Sequence, residues 1–273
     1  MPLGSPSGEP APSFRLRRDY GRGQPRLSVV LPMKDEEGGA AALVEEIAER
    51  LAAIEHEIIA VDDCSIDRTL GELEAVKRRV PRLRILHHGA NAGQSRAVRT
   101  GILAAKAPII ATLDGDGQND PADIPALFEA LTRAHAPELL TMVAGERRTR
   151  RDAAAKKTAS RLANAIRRRV LDDGATDTGC GLKVFYRDAY LRLPYFDHSH
   201  RYLPALMRRE GFAVEFLPVG HRPRAHGRSK YTNLQRLAVA FRDLSGVVWL
   251  KARARSAGSI SELERAPDYD TMA

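Results

Sequence analysis

The sequence predicts an α/β protein with a mainly parallel sheet flanked by helices in a single domain, and three observations predict it. From Leu27 onward, short apolar runs of strand character alternate with stretches whose apolar residues recur at helical spacing, the order expected of βαβ units. The early runs end in polar turns rich in Asp and Gly, as happens where the carboxyl ends of parallel strands open into a ligand crevice. The 273 residues, 43% hydrophobic and 29% charged, suffice for one large core and exclude a disordered or fibrous chain.

Residues 1–26 are rich in Pro, Gly, Ser and Arg without an apolar segment, so they read as a disordered basic arm and not as an export signal. Strand-like runs follow at 27–32, 58–62, 83–87, 109–113 and 139–144. Ala40, Val44, Ile47, Leu51 and Ile54 form a helical stripe after the first. Leu70, Leu73, Val76 and Val80 repeat the pattern after the second, then Ala97, Ile102 and Ala105, then Leu127, Phe128 and Leu131. A helical segment at 152–171 is crowded with Arg and Lys, and shorter strands at 183–186 and 212–219 extend the same sheet. No repeat or linker divides the chain, so 27–233 count as one domain. An amphipathic segment follows at 234–252, able either to lie in a membrane interface or to pack back on the sheet, and 253–273 read as a disordered tail. No apolar run approaches the roughly 20 residues that span a bilayer, so no transmembrane helix is expected.

A net charge of +8 and a pI near 9.7 call for an anionic partner: nucleic acid, nucleotide phosphates or an anionic membrane surface. Cys64 and Cys180 are the only cysteines and have neither metal-site nor disulfide-framework spacing, so a reducing, cytoplasmic setting is expected.

The most informative stretch is Asp114-Gly115-Asp116-Gly117-Gln118-Asn119-Asp120-Pro121, directly behind the fourth apolar run. Alternate residues of an extended segment face the same way, so Asp116 and Gln118 can share one hard cation, while Asp114 reaches it through water or orients its neighbours. Mg²⁺ or Mn²⁺ held by so few protein oxygens keeps positions open for substrate phosphates. A lone D-x-D is more often a surface turn, but the buried strand before this one and the helix after it favour the metal reading. Residues 32–36 and 61–69 follow the first two strands, and an Asp there can accept from a base N–H or a ribose hydroxyl, or cap the next helix. Arg224 and Lys230 flank Gly227 in a loop basic enough to hold a phosphate or to be a solvated surface loop. The Arg and Lys residues of 147–169 read as an attractor for anionic headgroups or as a solvated face.

In this order the stretches resemble the family 2 glycosyltransferases of GT-A fold, whose motifs run P-x-x-N-E, V-D-D-x-S-x-D-x-T, N-x-G and D-x-D. Here they stand at 32–36, 61–69, 91–93 and 114–116, with Lys34 for a usual Tyr, Asp35 for Asn and Cys64 for a frequent Gly. The second half is similar to polyprenyl-phosphate sugar transferases of the dolichol-phosphate mannosyltransferase type. It carries G-x-R at 145–147, a Ser-Arg…Asn piece at 160–164, D-x-x-x-G-F-R from Asp177 with Leu182 and Lys183 as departures, and R-x-x-G-x-S-K at 224–230.

The resemblance implies a Rossmann-like GT-A domain that transfers a sugar, with inversion and with Mg²⁺ or Mn²⁺, from a GDP- or UDP-linked donor to a polyprenyl phosphate at the cytoplasmic face of a membrane. It implies donor contacts from Pro32, Lys34, Glu36, Val61, Asp63, Asp114, Gly115 and Asp116, and a metal held by Asp114, Asp116 and Gln118. Acceptor-phosphate contacts fall to Arg147, Ser160, Arg224 and Lys230, and the catalytic set is Asp116, Arg147, Arg224 and Lys230. An ionised acceptor phosphate needs no strong base, which matches the absence of an obligatory one here. Two alternatives stay open: a family 2 transferase acting on a saccharide hydroxyl, for which Asp177 is the nearest candidate base, and a basic nucleic-acid-binding module. The second is disfavoured by crevice carboxylates that would repel a phosphate backbone.

Overall fold

The computed structural model describes residues 23–147, 171, 173–175, 177, 179–223 and 233–254. Its centre is a seven-stranded sheet of order β3-β2-β1-β4-β6-β5-β7. The strands are β1 (Leu27–Met33), β2 (His56–Asp62), β3 (Leu83–His87), β4 (Ile109–Thr112), β5 (Leu140–Arg147), β6 (Lys183–Tyr186) and β7 (Ala213–Val219). Every residue of β1, β2 and β4 is buried, so both faces of the sheet centre are covered, as a parallel core requires. This explains why these strands read as continuous apolar runs with no alternation.

The described helices are α1 (Ala40–Arg50), α2 (Thr69–Lys77), α3 (Gln94–Ala104), α4 (Ile124–Thr132), α5 (Arg187–Leu191), α6 (Leu203–Arg209) and α7 (Asn233–Ala252). The stripe residues Ala40, Val44 and Ile47 of α1, and Ala97 and Ile102 of α3, are fully buried.

Two features of the topology create the crevice. From β1 the chain steps to β2 on one side and returns to β4 on the other, so the connections diverge at the carboxyl ends of β1 and β4, where open α/β sheets bind ligands. β6 alone is antiparallel, pairing Lys183 with Thr112 and Tyr186 with Ile109. Its first residue therefore arrives at the edge where the other strands end.

Residues 23–26 are pinned to the fold: the Arg26 N–H donates to the Glu55 carbonyl at 2.7 Å, and its guanidinium lies 5.3 Å from the Phe128 ring centre. At the other end, α7 buries Val247 and packs Leu244 and Leu250 against the core. His198 Nδ1 meets Asp243 Oδ2 at 3.0 Å, and Arg209 Nε donates to the Leu250 carbonyl at 3.0 Å. Phe241 at 73% and Trp249 at 59% stay exposed on the face left over. The helix therefore packs back on the domain, and Phe241 and Trp249 stand on the side that this packing leaves exposed.

Candidate active site

The crevice is built around Gly115. A Cβ there would lie 2.7 Å from the Pro32 carbonyl oxygen and 2.9 Å from Met33 Cγ, so only glycine lets the carboxylate turn close onto the end of β1. Pro32 takes part through that carbonyl, and the side chain of Val61 is fully buried in the core.

The wall on the β2 side is two turns laced together. Asp35 donates its N–H to Ser65 Oγ at 2.9 Å and accepts from the Ile66 N–H at 2.9 Å. The Glu36 N–H donates to Thr69 Oγ1 at 2.8 Å, and Lys34 Nζ donates to the Cys64 carbonyl at 2.8 Å. Cys64 stands at φ 60°, the left-handed region, which accounts for the glycine usual at its motif position. Asp63 accepts from the N–H groups of Ala92 and Gly93 and from His88 Nδ1, each at 2.8 Å, so it fixes the loop entering α3. Burial works to raise its carboxyl, but these hydrogen bonds prevail and hold it below the usual carboxylate range. Beside it, Asp62 Oδ2 meets His87 Nδ1 at 2.7 Å while Oδ1 is buried without a hydrogen-bond partner.

Across the crevice, Asp114 packs over Gly181, where any Cβ would run into its carboxylate, and accepts from Gln94 Nε2 at 2.7 Å. Burial pushes the Asp114 carboxyl up and the charge of Asp116 adds to this, against Lys183, Gln94 and Arg147. Lys183, 5% exposed, donates to the Cys180 carbonyl, and burial lowers its ammonium pKa against the pull of Cys180, Asp114 and Asp177. Arg147 ends β5 in a bidentate pair with Asp177, Nη2 to Oδ1 at 2.7 Å, with the two side chains only 13% and 9% exposed. That pair raises the guanidinium pKa further, so Arg147 is a permanent cation.

Among the described residues no group of three or more His, Cys, Asp and Glu is gathered for a metal. What is present is a carboxylate pair, Asp114 and Asp116, plus the side-chain amide of Gln118, whose backbone N–H donates to Asp116 Oδ1 at 3.1 Å and so curls the turn around that oxygen. Two carboxylates, the charge of Asp116 opposing the ionisation of buried Asp114, with a third oxygen at hand, fit a hard divalent cation completing its shell from a ligand's phosphates.

The structure thus brings Pro32, Asp114, Gly115, Asp116, Gln118 and Arg147 to one crevice, with Lys34, Glu36 and Asp63 on its β2 side. Ser160, Arg224, Lys230 and most of the 152–171 segment lie outside the described residues.

Four participants had no role assigned from the sequence, although Lys183 stands at the basic position of the D-x-x-x-G-F-R segment. Gln94 reaches Asp114 from the start of α3, Lys183 enters through the reversed strand, and His221 and Arg222 follow β7. His221 bridges to Asn119. Its imidazole pKa is lowered by burial and Arg147 against Asp116, Asp177 and the Gln118 backbone, which places it among those groups. The only sequence signal for the last two was their position just ahead of the basic loop.

Residues 28–193 match the family model described as Glycosyl transferase family 2. The chain is 34% identical over 235 residues to dodecaprenyl-phosphate galacturonate synthase of Rhizobium johnstonii, covering 84% of this chain and 68% of that protein. It is 31% identical over 209 residues to undecaprenyl-phosphate 4-deoxy-4-formamido-L-arabinose transferase of Edwardsiella ictaluri, covering 75% of this chain and 62% of that one. Glucosyl-3-phosphoglycerate synthase from Mycobacterium tuberculosis, solved with Mn²⁺, uridine diphosphate and glucosyl-3-phosphoglycerate, shares the fold at a TM-score of 0.63 and 17% identity, over 86% of this chain and 82% of that one.

Proposed function

The chain belongs to glycosyl transferase family 2, and from that premise we propose that it moves a sugar from a nucleotide-diphosphate sugar onto the phosphate of a polyprenyl phosphate, inverting the anomeric carbon. The observation that carries this reading is the state of Asp177. Transfer to a saccharide hydroxyl would need a base there, yet both its oxygens accept from the guanidinium of Arg147. A carboxylate so bound is a weak base, whereas an acceptor phosphate is already ionised at neutral pH. The polyprenyl phosphates in the names of the two relatives support the same acceptor class.

The work left to the protein is electrostatics and positioning. Arg147, together with Arg224, Lys230 and Ser160 of the motifs the sequence carries, would neutralise the approach of two anions. Pro32, Lys34, Glu36, Val61 and Asp63 shape the donor side, where UDP or GDP is the expected nucleotide. Asp116 and Gln118, supported by Asp114, would hold Mg²⁺ or Mn²⁺, which when bound offsets the charge that develops on the leaving diphosphate.

The test begins with thermal shifts of the purified protein against UDP- and GDP-sugars with Mn²⁺, since a bound donor stabilises by mass action. The stabilising donor, labelled in its sugar, is then offered undecaprenyl phosphate or a saccharide acceptor. Label is expected in the organic phase with the lipid alone; label on the saccharide would replace this reading with the hydroxyl-acceptor alternative.

No described helix is long and apolar enough to cross a membrane. Contact with the lipid acceptor is proposed to be peripheral, at the cytoplasmic face, through the outer side of α7. Phe241, Val248 and Trp249 recur there at helical spacing, and the Arg253 guanidinium lies 5.7 Å from the Trp249 ring centre, the pairing of aromatic and cation that suits an anionic interface. Wild-type protein is expected to float with anionic vesicles, and Phe241→Ser with Trp249→Ser to lower the vesicle partition constant at least tenfold, a loss of about 1.4 kcal/mol or more. Equal flotation of the double variant would remove α7 from the contact.

A further inference from the structure

The residues that follow β7 are tied to the carboxylate turn more heavily than the end of a strand requires. Arg222 donates to both oxygens of Glu46 on α1 at 2.8 Å each, and to Asp120 Oδ1 at 2.7 Å and Oδ2 at 3.2 Å. Its backbone N–H donates to the Gln118 carbonyl at 2.9 Å, and the Gly220 N–H donates to Asp123 Oδ2 at 2.7 Å. His221 forms an isolated antiparallel bridge with Asn119. Each residue of 220–222 thus grips one of 118–123.

The geometry matters because of where the two segments come from. The carboxylate turn leaves β4, which is separated from β7 by β6 and β5 in the sheet. Val219, the last residue of β7, pairs in register with Arg147 at the end of β5. The three residues after Val219 therefore close a bracket from Arg147 to the turn that carries Asp116 and Gln118. An isolated surface ion pair would fix little. A guanidinium facing two carboxylates through its planar fork has few ways to satisfy both, so it fixes orientation as well as distance.

We infer that Arg222 is a positioning residue of the transfer reaction: it pins the Asp116–Gln118 turn between α1 and β7 and so sets the spacing between the donor-diphosphate oxygens and Arg147. This rests on the function proposed above, because it concerns where that site's metal and phosphates stand. Arg222 itself touches no reacting atom.

Arg222→Ala and the milder Glu46→Gln test it, with Arg79→Ala as control, since Arg79 makes an exposed pair with Glu45 one residue along α1 and lies outside the bracket. Two measurements are made on the full chain. In hydrogen exchange, amides of 118–123 and 220–222 are expected to exchange at least tenfold faster in Arg222→Ala, with β1 and β2 unchanged and the control like wild type. In turnover, the Mn²⁺ concentration for half-maximal rate is expected to rise about tenfold in Arg222→Ala and less in Glu46→Gln, a shift that a smaller folded fraction would not produce. Unchanged exchange of 118–123 in Arg222→Ala overturns the pin whether or not the chain proves active. Faster exchange with an unmoved Mn²⁺ dependence overturns its role in positioning. Should Arg222→Ala not fold, unaltered exchange and Mn²⁺ dependence in Glu46→Gln give the same refutation. A wild type that transfers no sugar overturns the functional reading by itself, with the exchange result still deciding the pin.

Discussion

Asp116→Asn is expected to reduce kcat about 10³-fold, roughly 4 kcal/mol of barrier, while the protein stays folded and becomes no less stable. The amide oxygen of Asn can still accept from the Gln118 N–H, so the curl of the turn survives, and only the charge is lost. Stability should move the other way from activity. Burial and the charge of Asp116 raise the folded-state pKa of Asp114. A carboxyl raised on folding contributes stability below its unfolded pKa and loses it as pH climbs through the folded value, so the metal-free protein carries a penalty at neutral pH. Removing Asp116 relieves part of it. The check is a melting series from pH 4 to 8 in chelator beside initial rates in Mn²⁺. If nucleotide binding by Asp116→Asn kept its metal dependence unchanged while activity fell, the metal role given to Asp116 would be wrong.

Arg147→Ala is expected to cost both stability and activity. Its guanidinium neutralises Asp177 in a pair only 13% and 9% exposed, and breaking such a pair from one side leaves a buried carboxylate uncompensated, at about 3 kcal/mol. Chemical denaturation should show that loss. The double variant Arg147→Met with Asp177→Leu removes both charges, so it should recover most of the stability and none of the transfer. Recovery of activity in the double variant would show that Arg147 serves only as the counter-ion of Asp177. Retained activity in Arg147→Ala would shift the neutralising role onto the basic loop.

Much of the architecture was legible because it rests on local pattern. Strands β3 and β6 coincide with the predicted runs, and the others differ by a residue or a few at their ends, where hydrogen bonding across the sheet and apolar character do not stop together. β5, for instance, continues through Gly145, Glu146 and Arg147 because Leu217, Pro218 and Val219 lie alongside them. The D-x-D turn was legible for the same reason: its carboxylates, glycines and amide are contiguous.

The roles of Gln94, Lys183 and Arg222 were not legible, because each takes its place through a partner distant in sequence. Gln94 lies 20 residues from Asp114, and Arg222 is 176 from Glu46. A glutamine at a helix start, a lysine opening a short strand and an arginine before a basic loop are ordinary surface choices until the sheet order is known.

By itself, then, the sequence determined an α/β chain of seven strands, an acidic turn after the fourth and a family resemblance, since periodicity and contiguous motifs are properties of neighbouring residues. Tertiary structure alone decided that β6 runs backward and delivers Lys183 beside Asp114, that Gly115 must yield to the Pro32 carbonyl, and that Arg222 brackets the turn. Those depend on which strands lie side by side, and strand order is fixed by packing and crossover geometry summed over the whole core, which no local window of residues contains.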